Sequence, residues 1–421
     1  MRKSLAVLFF VISSIITTNV LSAQAGGRLT VWSFTDEIEG IITNYFRNDN
    51  RAIQVNYLYT PTEQFEHRLD PVLASGQGAP DVIALESAFV RKYVESGLLM
   101  DLTDIYEANR DRFLAYPVEV GTYNGRVYAL SWQACPGAMF YRRSMARKYL
   151  GTDDPRTVQT FFSDIEKMME TAALLKKRSD GSCVLTSSRG ELFIPFLYAR
   201  RSPWVVNGRL VIDPVMEQYM EISKTIHDNR YDARVGQWSE GWFVGMKDDL
   251  VDINGKPYEV FSYFLPTWGL HYVLKTHAAN TSGDWAMIQG PVPYRWGGTW
   301  IGAYRNAQNP DAARELIRYI TANDSFLERY ARDSGDFVTS LPVIQRIQNS
   351  FREPFLAGQN HYAAFAEIAR NINGSLAQGS DSAIESIFLE EVEAYVYYGE
   401  KTKAQALADF RRRVQRELGL Q

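Results

Sequence analysis

Aromatic side chains stand beside carboxylates, amides and paired glycines at several points of the sequence. A sugar ring presents apolar C–H groups on its faces and hydroxyls around its edge, so its binding site needs flat aromatic surfaces next to hydrogen-bonding oxygens. We therefore predict a carbohydrate cleft. Its candidate ligand-binding residues are Trp32, Ser33, Phe34, Glu37, Glu86, Trp132, Trp238, Trp242, Trp268, Trp296, Gly297, Gly298 and Trp300, with Asp36 and Gln133 beside them.

Two other functions fit the same residue types. Exposed aromatics could hold a partner protein, although a loop tryptophan can also cover the core. Paired carboxylates can hydrolyse glycosides, and the acids that could form such a pair are Asp36, Glu37, Glu86, Glu240 and Asp284. The sequence has no GxSxG, GxxxxGK[ST] or GxGxxG motif and no eightfold βα rhythm. We therefore favour a non-catalytic binder with no cofactor, and keep a secreted carbohydrate hydrolase as the alternative.

Composition narrows the class of protein further. The chain has 421 residues, 46% of them hydrophobic, which is enough for two or three domains with large cores. Its formal net charge of −4 does not fit a nucleic-acid binder, which needs clustered Lys and Arg. Cys135 and Cys183 are too few for a disulfide framework or a cysteine zinc site, and whether they pair stays open. The five histidines lack metal-ligand spacing, so we predict no metal site.

The first 25 residues have the pattern of an export signal. Arg2 and Lys3 precede an apolar stretch over residues 5–16, and residues 23–25 form a small-x-small cleavage signal. The apolar stretch is shorter than the roughly 20 residues that a spanning helix needs. We therefore predict a cleaved signal peptide and a periplasmic location. No cysteine lies near the cut to carry a lipid anchor, and no later segment has the apolar length to span a bilayer.

The residues after this signal alternate between strand and helix patterns. Apolar or alternating runs predict strands over residues 29–32, 53–59 and 81–85. Helical spacing follows each of them, from Asp36, from the N-cap candidate Thr60, and from Ser87. This βαβαβ order implies a parallel sheet with helices on both faces, whose ligands bind at the carboxyl ends of the strands. Most of the predicted site residues of this part stand at those ends.

The second half of the chain is richer in helix signals. Helices are predicted over 160–177, from Asp213, from Asn309 and over 382–398. Residues 132–137 indicate a domain crossing, and residues 236–300 shift to Gly and Trp. Trp285 is the tryptophan that we expect to be structural.

Several motifs, taken in order, resemble a known family. They are GRLTVW (27–32), APDVI (79–83), ESGLLMDL (95–102), YNGRVYAL (123–130), MFYRR (139–143), GPVP (290–293), WGGTW (296–300) and NPDAARELI (309–317). Together they resemble the extracellular solute-binding proteins of ABC importers, and among these the maltose-binding-like, carbohydrate-binding group.

This resemblance implies an α/β fold of two lobes, each a mostly parallel sheet flanked by helices, with the ligand cleft between them. Lobe one would comprise residues 26–132 and 299–325, and lobe two residues 133–298 and 326–421. It also implies ligand contacts from the loop after the first strand, from Glu86 where the family often has Asp, and from the crossing at Gly297. The implied mechanism is hinge closure of a monomer around a sugar, with the closed form recognised by the permease subunits of the importer.

Overall fold

The computed structural model describes residues 27–247, 250–253 and 255–420, so the predicted signal peptide lies outside the described residues. Within these ranges, no helix combines the length and the apolar character that crossing a bilayer requires. The strands, in chain order, are β1 (Arg28–Ser33), β2 (Gln54–Tyr59), β3 (Val82–Glu86), β4 (Thr122–Tyr123), β5 (Arg126–Val127), β6 (Leu130–Ser131), β7 (Pro136–Arg142), β8 (Cys183–Thr186), β9 (Val205–Val206), β10 (Arg209–Leu210), β11 (Val251–Ile253), β12 (Lys256–Pro266), β13 (Trp285–Ile288), β14 (Tyr294–Arg295) and β15 (Thr299–Ala303).

The α-helices lie between and after these strands. In chain order they are α1 (Glu37–Ile41), α2 (Arg47–Asp49), α3 (Thr62–Ser75), α4 (Val90–Glu95), α5 (Thr103–Glu107), α6 (Ala115–Val120), α7 (Arg143–Leu150), α8 (Pro155–Thr160), α9 (Ile165–Arg178), α10 (Phe193–Ala199), α11 (Pro214–Asn229), α12 (Glu240–Met246), α13 (Lys275–His277), α14 (Pro310–Ala322), α15 (Asp324–Ser334), α16 (Leu341–Ile347), α17 (His361–Ala369), α18 (Asp381–Val396) and α19 (Lys403–Leu418). Two π-helical stretches, Ile42–Phe46 and Gly269–Leu274, continue helical segments.

The first sheet forms the centre of lobe one. Its strand order is β2-β1-β3-β15-β6, and β1 runs parallel to both β2 and β3. β15 is antiparallel to β3 and to β6, so the other four strands share one direction. The β3 residues Val82 to Leu85 are all fully buried, as expected for a strand covered on both faces. The predicted parallel sheet is confirmed here, with one reversed strand inside it.

The second sheet forms the centre of lobe two and has a different pattern. β7 pairs antiparallel with β12, β13 and β14, whereas β8 pairs parallel with β12. This sheet is therefore mixed, where a mostly parallel one was expected. The reason is that β7 enters directly from the segment that leaves lobe one, without a helix to return the chain in the common direction. The two-lobed α/β architecture itself is confirmed.

Three chain segments meet where the two sheets adjoin. The amide of Ala134 donates to the carbonyl of Phe337 (2.7 Å), and that of Trp296 donates to the carbonyl of Cys135 (3.1 Å). The predicted boundary at residue 326 falls inside α15, whose Phe326 packs on Tyr45 of lobe one with ring centroids 5.3 Å apart. α16 packs against α15. We therefore propose that lobe one extends through α16 and that lobe two resumes after it.

Local signals placed most helices correctly, with three exceptions. The helix expected from Ser87 begins at Val90, after a turn over residues 87–89. The helix predicted over 160–177 begins later, at Ile165, because Asp164 caps it by accepting from the amide of Lys167, whereas Thr160 is the last residue of α8. Thr60 is not an N-cap, since α3 begins at Thr62 and the buried Thr60 hydroxyl has no partner within the described residues.

Candidate functional site

A cavity of about 730 Å³ lies between the two lobes, and we call it the main cleft. Eight of the predicted site residues line it: Phe34, Glu37, Glu86, Trp238, Trp268, Trp296, Gly297 and Gly298. Its volume is within the range of small-molecule sites, roughly 300–1,000 Å³. A second cavity of about 510 Å³, the side cavity, shares Glu86, Trp296 and Gly297 with the main cleft and is otherwise lined largely by α10, α18 and residues 373–378.

Three tryptophans of lobe two form a continuous aromatic wall. Trp238 stacks on Trp268 with ring centroids 5.9 Å apart and an interplanar angle of 11°. Trp268 in turn packs on Trp296 at 5.1 Å, and its indole nitrogen lies 3.3 Å from the Trp296 carbonyl oxygen, to which it donates. Trp238 is 56% exposed and has a φ of +67°, a conformation that bulky residues rarely adopt. The exposed indole faces are therefore held in the cleft by contacts with one another.

Phe34 supplies the aromatic surface on the opposite side. It follows β1, and its ring is fixed edge-to-face by Phe65 and Phe89 at 6.2 and 6.1 Å. Apolar faces thus come from both lobes, which is what a ligand that bridges the lobes requires.

The paired glycines let the crossing segment approach the wall closely. A Cβ at Gly297 would lie 2.9 Å from the Trp268 indole nitrogen, and the φ of Gly297 is +74°. Gly298 has a φ of +110°, and its carbonyl accepts from the amide of Ser87 (3.1 Å). These two positions therefore require glycine.

Four predicted site residues are buried instead of exposed to the cleft. Trp132, Trp242, Trp300 and Ser33 are at most 1% exposed, so their side chains have no free surface for a ligand. The indole of Trp242 donates to Glu191 (2.7 Å) and that of Trp300 to the carbonyl of Pro117 (2.7 Å). We therefore propose that they support the cleft from beneath and do not contact the ligand. Trp32 is half-buried against the lobe-one core and does not line the main cleft.

Trp285 was expected to be structural, and it is. It is fully buried, and its indole donates to the hydroxyl of Thr281 (2.7 Å).

Eight further residues line the main cleft that were not among the predicted set: Thr35, Asp36, Thr62, Glu63, Gln133, Tyr272, Thr299 and Asp336. Asp36 and Gln133 had been noted as neighbours of predicted residues. Tyr272 lies in an apolar π-helical stretch whose other residues are mostly buried, but its own side chain is 57% exposed. The spacing of apolar residues in the sequence does not reveal this exposure.

Glu37 occupies the floor of the cleft with several hydrogen bonds. Its carboxylate accepts from the amide nitrogen of Gln133 (2.9 Å), from the indole of Trp132 (3.4 Å) and from the hydroxyl of Tyr330. Burial nevertheless raises its pKa above the ordinary value, since desolvation outweighs these donors. Asp336 accepts from the amide of Phe337 (2.8 Å), and burial followed by the charge of Glu37 raises its pKa to about 7.

No cofactor or metal assignment follows from this arrangement. Among the described residues, no group of three or more His, Cys, Asp or Glu side chains is placed to hold a metal ion. Cys135 and Cys183 are both buried and free, so the open question of their pairing is answered by separate thiols. Burial raises the pKa of both thiols, which disfavours thiolate chemistry.

The five acids considered for hydrolysis do not all lie in the main cleft. Asp36, Glu37 and Glu86 line the main cleft, whereas Asp284 forms an ion pair with Arg142 (2.8 Å) and Glu240 begins α12.

Comparisons with known proteins agree with this architecture. The family model for bacterial extracellular solute-binding proteins matches residues 42–351. An arabinooligosaccharide-binding protein of Bacillus subtilis (strain 168) is 26% identical over 171 residues, which cover 37% of this chain and 40% of the relative.

Two solved structures share the fold. An extracellular solute-binding protein of family 1 superimposes with a TM-score of 0.80 at 18% identity, covering 91% of this chain and 98% of that one. An ABC-transporter-associated binding protein from B. animalis subsp. lactis Bl-04, in complex with β-1,6-galactobiose, gives 0.71 at 20% identity, covering 93% and 98%.

Proposed function

Because the chain belongs to the bacterial extracellular solute-binding proteins, we propose that it captures a carbohydrate in the periplasm and delivers it to the permease of an ABC importer. The observation that carries the proposal is the main cleft, where Phe34 of lobe one faces an indole wall of lobe two. Carboxylate, amide and hydroxyl oxygens lie between these aromatic surfaces, as sugar hydroxyls require. The two relatives above whose ligands are named bind carbohydrates, which supports the same ligand class.

The proposed mechanism is closure of the two lobes about the crossing segments. A ligand that contacts both lobes stabilises the closed form in proportion to its difference in affinity for the two states. Hydrogen bonds already join the lobes at the side cavity: Gly374 donates to Glu119 (2.8 Å) and Gly379 to Glu95 (3.2 Å). These contacts form one edge of the closed state, and the permease recognises the closed monomer.

Binding in this proposal is not followed by hydrolysis. The Glu37 carboxylate already accepts from three donors, which hold it in the floor of the cleft. The proposed export route is a signal peptide over residues 1–25, which mass spectrometry of the mature N-terminus would test.

A thermal-shift screen across mono- and oligosaccharides tests the ligand class, since a ligand that binds only the native state raises the melting temperature. Titration calorimetry of the best sugar gives its affinity, and small-angle scattering should show a smaller radius of gyration at saturation. Chromatography of the sugar after long incubation should return it intact. A cleft that binds no sugar, or a radius that stays fixed at saturation, would contradict the proposal.

A further inference from the structure

The charge of the main cleft is one-sided. Of the described residues that line it, five are acidic, namely Asp36, Glu37, Glu63, Glu86 and Asp336, and none is Lys, Arg or His. Glu86 has a positive neighbour in Arg295, which lines the side cavity and lowers the pKa of Glu86 against the stronger effect of burial. The other carboxyls of the main cleft have no cationic lining residue.

The excess of negative charge is most unfavourable at Glu37 and Asp336, which share one hydrogen-bond donor. The Tyr330 hydroxyl donates to Glu37 and lies 3.3 Å from Asp336 Oδ2, but its single proton serves one carboxylate at a time. Asp336 is 3% exposed, and desolvating two like charges side by side is unfavourable. In the ligand-free protein the free energy is lowest when the two carboxyls share one proton, in line with the raised pKa values of both groups.

A cationic group would replace that proton. An ammonium has three donors and a positive charge, so it can pair with both carboxylates at once. The indole wall adds a second attraction, because a cation near the face of a Trp ring is stabilised by the ring quadrupole. A neutral hydroxyl gains neither the charge pairing nor this attraction.

We propose that the carbohydrate taken up by this protein carries a protonated amine, an amino sugar or an oligosaccharide that contains one, whose ammonium lies against Glu37 and Asp336. This inference rests on the proposed function and specifies its ligand class. It disfavours sugar acids, whose carboxylate would meet only like charges in the main cleft.

The test uses sugars that differ only at one position. Glucose, glucosamine and N-acetylglucosamine, the corresponding galactose series, and the β-1,4-linked disaccharides of the glucose series are titrated calorimetrically at pH 7, with glucuronic and galacturonic acid as the acidic members. Within each series that binds, the free amine should bind at least tenfold more tightly than the neutral and N-acetylated forms. Neutral sugars that bind as tightly as amines, or acids that bind best, overturn this inference while the proposed function stands. If no sugar binds, both fail.

Variants locate the cation. Asp336→Asn and Glu37→Gln keep the side-chain shapes and should weaken binding of the amine more than binding of the neutral sugar, so that the preference for the amine falls to about twofold or less. Glu39→Gln is the matched control, because Glu39 is exposed on the same helix and does not line the cleft. Circular dichroism and the melting temperature of each free variant report its folding. A preference that survives in both folded variants would overturn the assignment to this pair.

The pH dependence gives an independent readout. The affinity for the amine should rise between pH 5 and pH 7, as the pair loses its proton, while that for the neutral sugar stays flat. The titratable groups around the pair are Asp36, Tyr272, Tyr330 and Cys135, with His271 against Gly335 beside them. Burial lowers the pKa of His271 to about 4, so it is neutral over this range. An affinity for the amine that is constant from pH 5 to 7 would contradict the exchange of a proton for the cation.

Discussion

Replacing two tryptophans separately should distinguish the cleft from the core. Trp268→Ala removes the central ring of the indole wall, which packs on Trp238 and Trp296. A well-packed aromatic platform contributes on the order of 1–3 kcal/mol to binding, so the dissociation constant should rise about 5- to 150-fold. Trp300→Ala should leave the cleft lining in place and instead reduce the free energy of unfolding by about 3–5 kcal/mol, the usual cost for a buried aromatic.

The two substitutions should act differently because the two tryptophans differ in exposure and in hydrogen bonding. Trp268 is half-buried and lines the cleft, whereas Trp300 is 1% exposed and its indole donates to a backbone carbonyl of lobe one. Titration calorimetry with the sugar that gives the largest thermal shift measures affinity, and urea unfolding measures stability. Trp268→Phe keeps an aromatic face and should recover part of the lost affinity. If Trp300→Ala weakens binding in a stable protein while Trp268→Ala binds normally, the site map is wrong.

The remaining perturbations address the glycine turn, the buried acid and the lobe contact. Gly297→Ala should weaken sugar binding about tenfold, because the added Cβ meets the Trp268 indole and costs on the order of 1.4 kcal/mol. Gly283→Ala is the control: its φ is +85° and no atom lies near the added Cβ, so it shows the backbone cost alone in the same calorimetric and melting assays. For Asp336, the native pKa of about 7 exceeds the unfolded value, so the native state holds an extra proton between about pH 4 and 7. The free energy of unfolding should therefore fall as pH rises through this window, by a few kcal/mol for this group, and urea melts of Asp336→Asn should show a smaller fall; equal slopes would refute this. Glu119→Ala removes an inter-lobe acceptor of the closed form that is worth about 1 kcal/mol, so sugar affinity should drop about fivefold in calorimetry. An unchanged affinity would argue against a closing contact there.

Local patterns were enough to predict the first sheet and several residues that line the main cleft. The alternation of strand and helix between residues 29 and 97 is a short-range signal, and it placed Phe34, Glu37 and Glu86 at the carboxyl edge of the sheet. The glycine pair was recognisable for the same reason, because a positive φ and close approach are requirements of the residue itself.

Local patterns could not separate indoles that face the cleft from indoles beneath it. Trp238 and Trp242 lie four residues apart, yet one is 56% exposed and the other fully buried. The buried indole of Trp242 donates to Glu191, a buried carboxylate distant in sequence. The spacing of tryptophans in the sequence cannot predict long-range partners of this kind.

Asp336 was missed for a related reason. It follows the last turn of α15 in a loop with no repeated motif, and its importance arises only when the crossing segments bring it to the Tyr330 hydroxyl that Glu37 also uses. Likewise, the proposal to extend lobe one through α16 depends on the packing of α15 against residues nearly 300 positions earlier in the chain.

The place of β15 inside the first sheet has a consequence for how the chain matures. β15 separates β3 from β6, although it is made after the whole of the second sheet. A chain emerging from the ribosome therefore has unpaired strand edges on both sides of the gap until Ala303 has been made, and the N-terminal lobe cannot fold first in order of synthesis. Such distant pairing slows folding, and the first sheet is complete only after every strand of the second has been made.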